Sequence, residues 1–359
     1  MVVVSTFNVE NLFSRPKVLN MADHAKAAEI LRRVNRFSEL LDMRNYRPYA
    51  DEIRTLYLEL KDYVTINIRS SRVGNNILTA DGKLIAKGRE DWDGFVDLER
   101  ERFSEEQIRF TGKVIKEVEP DIQCFVEVES AGTLARFNTD ILNSWFKDKI
   151  VVDGNDPRGI DVALASRALY PIRTAKTNVF ARDSEWIIFS RDCLEVEIDI
   201  DGRSLFVLVN HFKAKDATPA VSDRKRMRQA KEVAQILKTR YDLSKDLVLV
   251  AGDFNDEPDS GPLEPLLAAP ELTNVLDVLD WPQDDRWTYY YGKKHERNAI
   301  DYILVSDALK PLVKRAGLER RGIAGLDEIT GGAESSFPGI TSWKLAASDH
   351  AALWVELDL

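Results

Sequence analysis

Apolar and polar positions along the chain follow two periods. Short apolar runs recur at Val2–Phe7, IQCFVEV (122–128), IDVALAS (160–166), LFVLVN (205–210), LVLVAG (247–252), IDYILVS (300–306) and AALWVEL (351–357), with KIVVDG (149–154) and the alternating CLEVEID (193–199) beside them. Each is four to eight residues long and bounded by turn residues, which predicts strands. A 3.6-residue spacing appears elsewhere. Ile30, Leu31, Val34, Phe37, Leu40 and Leu41 mark one helix within Met21–Met43, and a second is predicted over Pro48–Tyr63. Ser104 with Gln107 forms a capping box for a helix to Val118, closed by Pro120, and further helices are predicted over 131–146 and Pro219–Arg240. Strands outnumber helices and many are joined by short turns, which favours mixed or antiparallel sheets flanked by helices.

The block from Ser14 to Arg102 interrupts this order. It reads as a helical hairpin followed by TINIRSS and ILTADGKLIAKG, with turns at Gly74-Asn75 and Asp81-Gly82, and hence as an inserted α+β subdomain. A length of 359 residues accommodates one large α/β domain over 1–359 with 14–102 inserted in it.

Charge and cysteine content narrow the partners. The net charge of −10 and pI of 5.2 argue against a surface coated by nucleic acid or anionic lipid, while leaving room for local basic patches at Arg224–Lys231 and Lys293–Arg297. Cys124 and Cys193 sit in strand-like contexts and read as buried thiols of a reducing compartment. The start MVVVSTFN has no signal-peptide pattern, and no apolar run is long enough to span a bilayer. A cytoplasmic protein without stable membrane association is expected.

The chemistry lies at the strand ends. Asn8, Glu127, His211, Asp253 with Asn255, Asp301, and Asp349-His350 each begin or end an apolar run. One such residue is usually a cap or a turn. Six instances that include two of only four histidines are hard to assign to turns, and strand ends gather at the rim of a sheet. Asp253 and Asn255, two apart, share a face if the backbone stays extended, and Phe254 then points into the core. Carboxylates and amides suit a hard divalent cation and a phosphate, and histidines with carboxylate partners suit proton handling. Asp256, Glu257 and Asp259 read as acidic decoration at a helix start, the tryptophans as packing residues, and His24 and His295 as solvated.

In this setting the chain resembles the endonuclease/exonuclease/phosphatase superfamily. The matching pieces are TFNVENL, CFVEVES, GIDVALASR, NHFKAK, GDFND, IDYILVS and SDHAAL, in family order over residues 1–13 and about 104–359. The resemblance implies a four-layer α/β sandwich with two central mixed sheets and a cleft at their upper edge. It implies Glu127 as principal metal ligand helped by Asn8 and Asp349, and Asp253 with Asn255 orienting or deprotonating the attacking water. It further implies Asp301 and His350 as a pair on the scissile phosphate, and His211 as transition-state stabiliser or acid. Asp161 is placed as a partner of His211, and Arg158 as a phosphate contact. Mg²⁺, with Mn²⁺ as a substitute, is the implied cofactor. The block 14–102 departs from the family pattern; leaving the strand that carries Asn8, it is expected to shape substrate access or to be a peripheral subdomain.

Family resemblance does not choose the substrate. The leading expectation is a metal-dependent phosphodiesterase acting on DNA or RNA, a nuclease. The alternative is a phosphatase or phosphodiesterase for a small or lipid-linked phosphoester such as an inositol phosphate. A binding module without catalysis is disfavoured by the complete set of polar strand ends.

Overall fold

The computed structural model describes residues 1–12, 16–21, 23–99, 105–156 and 158–359. The chain forms two compact units, Met1–Phe13 with Phe103–Leu359, and Ser14–Arg102.

The larger unit holds two six-stranded sheets. In the first the order is β17 (Val313–Glu319), β18 (Ala352–Leu357), β1 (Val2–Leu12), β4 (Ile122–Val128), β6 (Asp161–Ser166) and β5 (Asp148–Val152). In the second it is β13 (Leu272–Asn274), β16 (Asp301–Ser306), β12 (Leu247–Asp253), β11 (Arg203–His211), β10 (Cys193–Ile200) and β7 (Ile172–Lys176). Both are mixed: β1 and β4 are parallel, as are β11 and β12, among antiparallel neighbours. Small hairpins are formed by β8 (Arg182–Asp183) with β9 (Trp186–Ile187), and by β14 (Tyr289–Tyr291) with β15 (Glu296–Asn298).

Period-two alternation sorts the side chains into layers. Val4, Cys124, Val162 and Leu164 of the first sheet pack on Leu205, Val207, Val209, Leu249, Ala251, Ile303 and Val305 of the second. The outer face of the first sheet, with Phe7, Phe125 and Ala163, packs on α3 (Glu105–Val118) and α4 (Ala131–Asp140) through Val114, Ile115, Leu134 and Phe137. The outer face of the second, with Leu208, Val248 and Val250, packs on Ala230, Val233 and Ile236 of α5 (Pro219–Arg240). Helix, sheet, sheet and helix make a four-layer sandwich.

The smaller unit contains α1 (His24–Leu41), α2 (Ala50–Leu60), β2 (Val64–Ser71) and β3 (Trp92–Leu98). Phe37, Leu40, Ile53, Leu60 and Trp92 lie in its own core, and the Trp92 indole donates to the Tyr46 hydroxyl at 2.7 Å. β2 pairs with β3 and not with the ILTADGKLIAKG segment, which keeps only a Leu78–Leu84 bridge. Residues 131–146 do not form one helix: α4 ends at Asp140, and Asn143 and Ser144 take positive φ of 55° and 58°. Ser104 lies outside the described residues, as does the side chain of His24. No helix among the described residues is long and apolar enough to cross a membrane, and Cys124 and Cys193 are buried and unpaired.

Candidate active site

The rows of apolar side chains between the sheets end in polar ones. On β11 the row Leu205, Val207, Val209 continues to His211; on β12 Leu249 and Ala251 lead to Asp253; on β16 Val305 and Ile303 lead back to Asp301. β1 carries Val2 and Val4 in the same layer, and Asn8 has their parity. Register places His211 opposite Asp253, and Asp253 opposite Asp301. Glu127 has the wrong parity for this layer. A register shift between Val126 and Val128, with Glu127 at φ 70°, turns its side chain toward His211. Gly252 is required just before Asp253: its φ is 136°, and a Cβ there would lie 1.8 Å from the Asn210 carbonyl oxygen.

Asp253 is the hub. Its Oδ2 accepts from Asn8 Nδ2 at 3.0 Å and from Asn255 Nδ2 at 3.1 Å, and its Oδ1 accepts from the Asn255 backbone N–H at 2.7 Å. His211 Nε2 and His350 Nε2 stand 3.7 and 3.9 Å from Oδ2. Asp253 and Asn255 do converge, but not through an extended backbone. Asn255 is left-handed at φ 56°, and the chain curls to bring the two side chains together. Phe254 is buried between the rings of Phe212 and Tyr302. Burial first, then Asp301 across the ladder, pushes the Asp253 carboxyl up to about 7.

The two histidines are held in opposite states. Burial pulls His350 down, but Asp301, whose Oδ2 lies 2.8 Å from Nδ1, outweighs it and holds the imidazole well above its ordinary value. Asp301 is itself fixed by its backbone N–H donating to Thr288 Oγ1, and the Tyr289 ring lies 4.7 Å from the His350 ring. His211 is pushed well below its usual value by burial, then by Arg191, His350 and Arg158, and so is neutral. Asp161 is not its partner. Asp161 heads β6 and accepts from the Gly154 N–H at 2.7 Å, while His211 Nδ1 is buried without a hydrogen bond. Arg158 is engaged by Asp156, which it meets through Nε at 3.0 Å and Nη2 at 2.9 Å.

A second group of carboxylates acts on His350, with Asp349 Oδ1 3.8 Å from its Nε2 and Glu127 Oε1 3.8 Å from His211 Nε2. Glu10, Glu127 and Asp349 all act on one another: burial and then Asp349 raise Glu10 to about 8, and burial raises Glu127 and Asp349. Asn8 Oδ1 accepts from the Glu10 backbone N–H at 3.1 Å. An oxygen-only donor set of mutually repelling, half-buried carboxylates fits a hard divalent cation. Asp253, Asp301 and His350 also place ligand atoms within 4.8 Å of one another. Asp253 accepts from Asn8 and Asn255, and Asp301 Oδ2 meets His350 Nδ1, an arrangement suited to proton handling, while Asp301 Oδ1 is buried without a hydrogen bond.

Three neighbours went unnoticed in the sequence. Glu10 follows Asn8 by two residues, a spacing that should have suggested it. Arg191, 2% exposed, meets Asp156 at 3.2 Å, acts on Glu127, Asp253 and His211, and leaves Nε without a hydrogen bond; its only signal was its place just before β10. Tyr289 was hidden in an aromatic run. Of the three acidic residues expected to decorate a helix start, Asp259 is exposed but Asp256 and Glu257 have other partners. Asp256 is buried and clamped by Arg226 Nε at 3.1 Å and Lys215 Nζ at 2.7 Å, and Glu257 accepts from the Asn298 side chain and the Ala299 N–H.

A sequence profile described as the Endonuclease/Exonuclease/phosphatase family matches residues 75–317, about two thirds of the chain. The chain belongs to the endonuclease/exonuclease/phosphatase family. It is, with that family, a phosphoester hydrolase dependent on a divalent metal. The profile covers Glu127 through Asp301, begins within Ser14–Arg102, and stops short of Asp349 and His350. Among solved structures the fold is similar to a humanized TDP2 of D. rerio (15% identity, 71% of this chain and 92% of that one, TM-score 0.51). It is also similar to a family member from Bacteroides thetaiotaomicron (17%, 70% and 89%, 0.52) and to an AP endonuclease from Archaeoglobus fulgidus (14%, 71% and 95%, 0.50). No curated protein matches the sequence.

Proposed function

We propose that this hydrolase is a nuclease, cleaving phosphodiester bonds of DNA or RNA by in-line attack of water with Mg²⁺ as its cofactor. The observation that carries the reading is the meeting of Asp253, held by Asn8 and Asn255, with the Asp301–His350 pair beside a cluster of carboxylates. Glu127 and Asp349, with Glu10 and the Asn8 carbonyl oxygen, would hold the cation. Bound there, Mg²⁺, or Mn²⁺ in its place, supplies Lewis-acid polarisation of a phosphoryl oxygen and charge beside the leaving oxygen.

The protein's own groups do the rest. Asp253, poised near neutrality, takes the proton of the water that attacks phosphorus. Charged His350 donates from Nε2 to a non-bridging phosphoryl oxygen, with Asp301 fixing the ring. Neutral His211 donates a hydrogen bond and carries no charge of its own, and Arg191 and Arg158 add positive charge on that side. Asp161 orients the Gly154 turn beside them. Two fold relatives support a nucleic-acid substrate: D. rerio TDP2 is known in complex with a single-strand DNA product, and another relative is an AP endonuclease.

A substrate panel tests this: plasmid DNA, single-stranded DNA, RNA, bis-p-nitrophenyl phosphate and inositol phosphates, each with Mg²⁺, Mn²⁺ or EDTA. Cleavage of polymer that stops in EDTA is expected. Turnover of inositol phosphates alone, or activity that survives EDTA, would refute it.

A further inference from the structure

The hairpin of β14 and β15 projects from the catalytic histidine and carries aromatic and cationic groups that the chemistry does not use. Tyr289, at its start, lies against His350 and bridges to it through the backbone. Two residues on, the Tyr291 ring is parallel to that of Tyr289 within 19°, with centroids 6.4 Å apart, and Lys294 Nζ stands 5.9 Å from its centroid. On the opposite face of the strand Tyr290 is buried beneath Trp343, the two rings parallel within 6° at 5.8 Å. Trp343 is 44% exposed, so its ring covers Tyr290 on one side and meets solvent on the other. Lys293, Lys294 and His295 are exposed at the turn between these two aromatic faces, and the Tyr290 hydroxyl bonds His295 Nδ1 at 2.8 Å.

An exposed indole and a partly exposed phenol ring flanking two lysines do little for stability. They provide flat π-faces for planar bases and point charges for phosphates. In a chain of net charge −10, Lys293 and Lys294 give this turn local positive charge. Paired bases inside a duplex cannot reach such faces, whereas splayed ones can.

We propose that this hairpin and Trp343 form a docking strip for a single-stranded polynucleotide. Bases next to the scissile phosphate stack on Tyr291 and Trp343, and their phosphates meet Lys293 and Lys294. The inference rests on the nuclease reading and adds to it a preference for single strands.

The test uses the full chain with Mg²⁺ and three substrates: a single-stranded oligodeoxynucleotide, its duplex, and bis-p-nitrophenyl phosphate, which has no base to stack. Thermal midpoints establish that each variant is folded. Tyr291→Ala and Trp343→Ala should each raise KM for the single strand about tenfold, the worth of one base–aromatic stack. Hydrolysis of bis-p-nitrophenyl phosphate should be unchanged. Replacing Lys293 and Lys294 together by Ala should flatten the slope of log KM against log salt by about 1.4, about 0.7 for each phosphate contact. Variants that cleave the single strand with wild-type KM, or that lose both substrates in parallel, would overturn the docking strip and leave the nuclease reading standing. Binding to anionic vesicles that Trp343→Ala abolishes, without any effect on the oligonucleotide, would overturn it in favour of a membrane contact. A wild-type enzyme that hydrolyses inositol phosphates and no polymer would instead remove the nuclease reading, and the strip with it.

Discussion

Asp253 is buried opposite a like charge, an arrangement that costs stability. Its retention points to chemistry, and the loss of that chemistry should be separable from folding. Asp253→Asn is expected to lower kcat by about 10²–10⁴, the usual worth of a positioned base, with a thermal midpoint equal to or above wild type. The Asp301–His350 pair has a signature of its own. In metal-free protein the His350 imidazole should remain protonated above its ordinary range by NMR titration, and Asp301→Asn should bring it down. The folded value lies above the unfolded one. The pair's contribution to stability is therefore complete below the ordinary imidazole range and is lost as pH rises through the raised value. Unfolding free energies of wild type and Asp301→Asn should converge at high pH. At the carboxylate cluster, Glu127→Gln should weaken Mg²⁺ binding, read by calorimetry, by at least about tenfold, a loss that even outer partners of a metal can produce.

Strands were legible as elements because a half-buried strand repeats every second residue and ends where polar residues begin. What the strand ends do was less legible. β1 does not stop at Asn8 but runs to Leu12 with a register shift, and this places Glu10 in the cluster. Glu127 reaches the site only through its bulge. The loops after β11 and β12 are stapled together by one residue of the basic patch Arg224–Lys231. Arg226 is fully buried, donates to the Lys213 carbonyl at 2.8 Å, and ion-pairs with Asp256 and Asp223. Arg226→Met should leave Asp256 with Lys215 alone and cost about 3 kcal/mol, at the low end for breaking a buried pair, measured by urea unfolding. Nothing in a periodic pattern distinguishes a buried arginine from a solvated one on the same helix.

At the scale of the molecule, every residue assigned to the site lies in 1–12 or 105–359, and the segment Ser14–Arg102 has a core of its own. Replacing 14–102 by a short linker should therefore give a folded protein that still hydrolyses bis-p-nitrophenyl phosphate with Mg²⁺. A change in its range among larger substrates would assign the segment a part in substrate access. The period-two rows determined by themselves that the chain would build sheets, and that polar residues would cap the strands. The ordered motifs from Asn8 to His350 were enough for the family and named most of the residues that meet in the candidate site. Tertiary structure decided which caps touch: Asp161 turns to Gly154 and not to His211, Asp256 to Arg226 and not to solvent. It also decided which histidine is charged, since His350 has Asp301 at 2.8 Å and His211 has no partner at Nδ1. Periodicity specifies the face on which a side chain emerges; partner and protonation depend on groups that arrive from other strands and loops, as Asp301 does 49 residues before His350, and only packing brings those together.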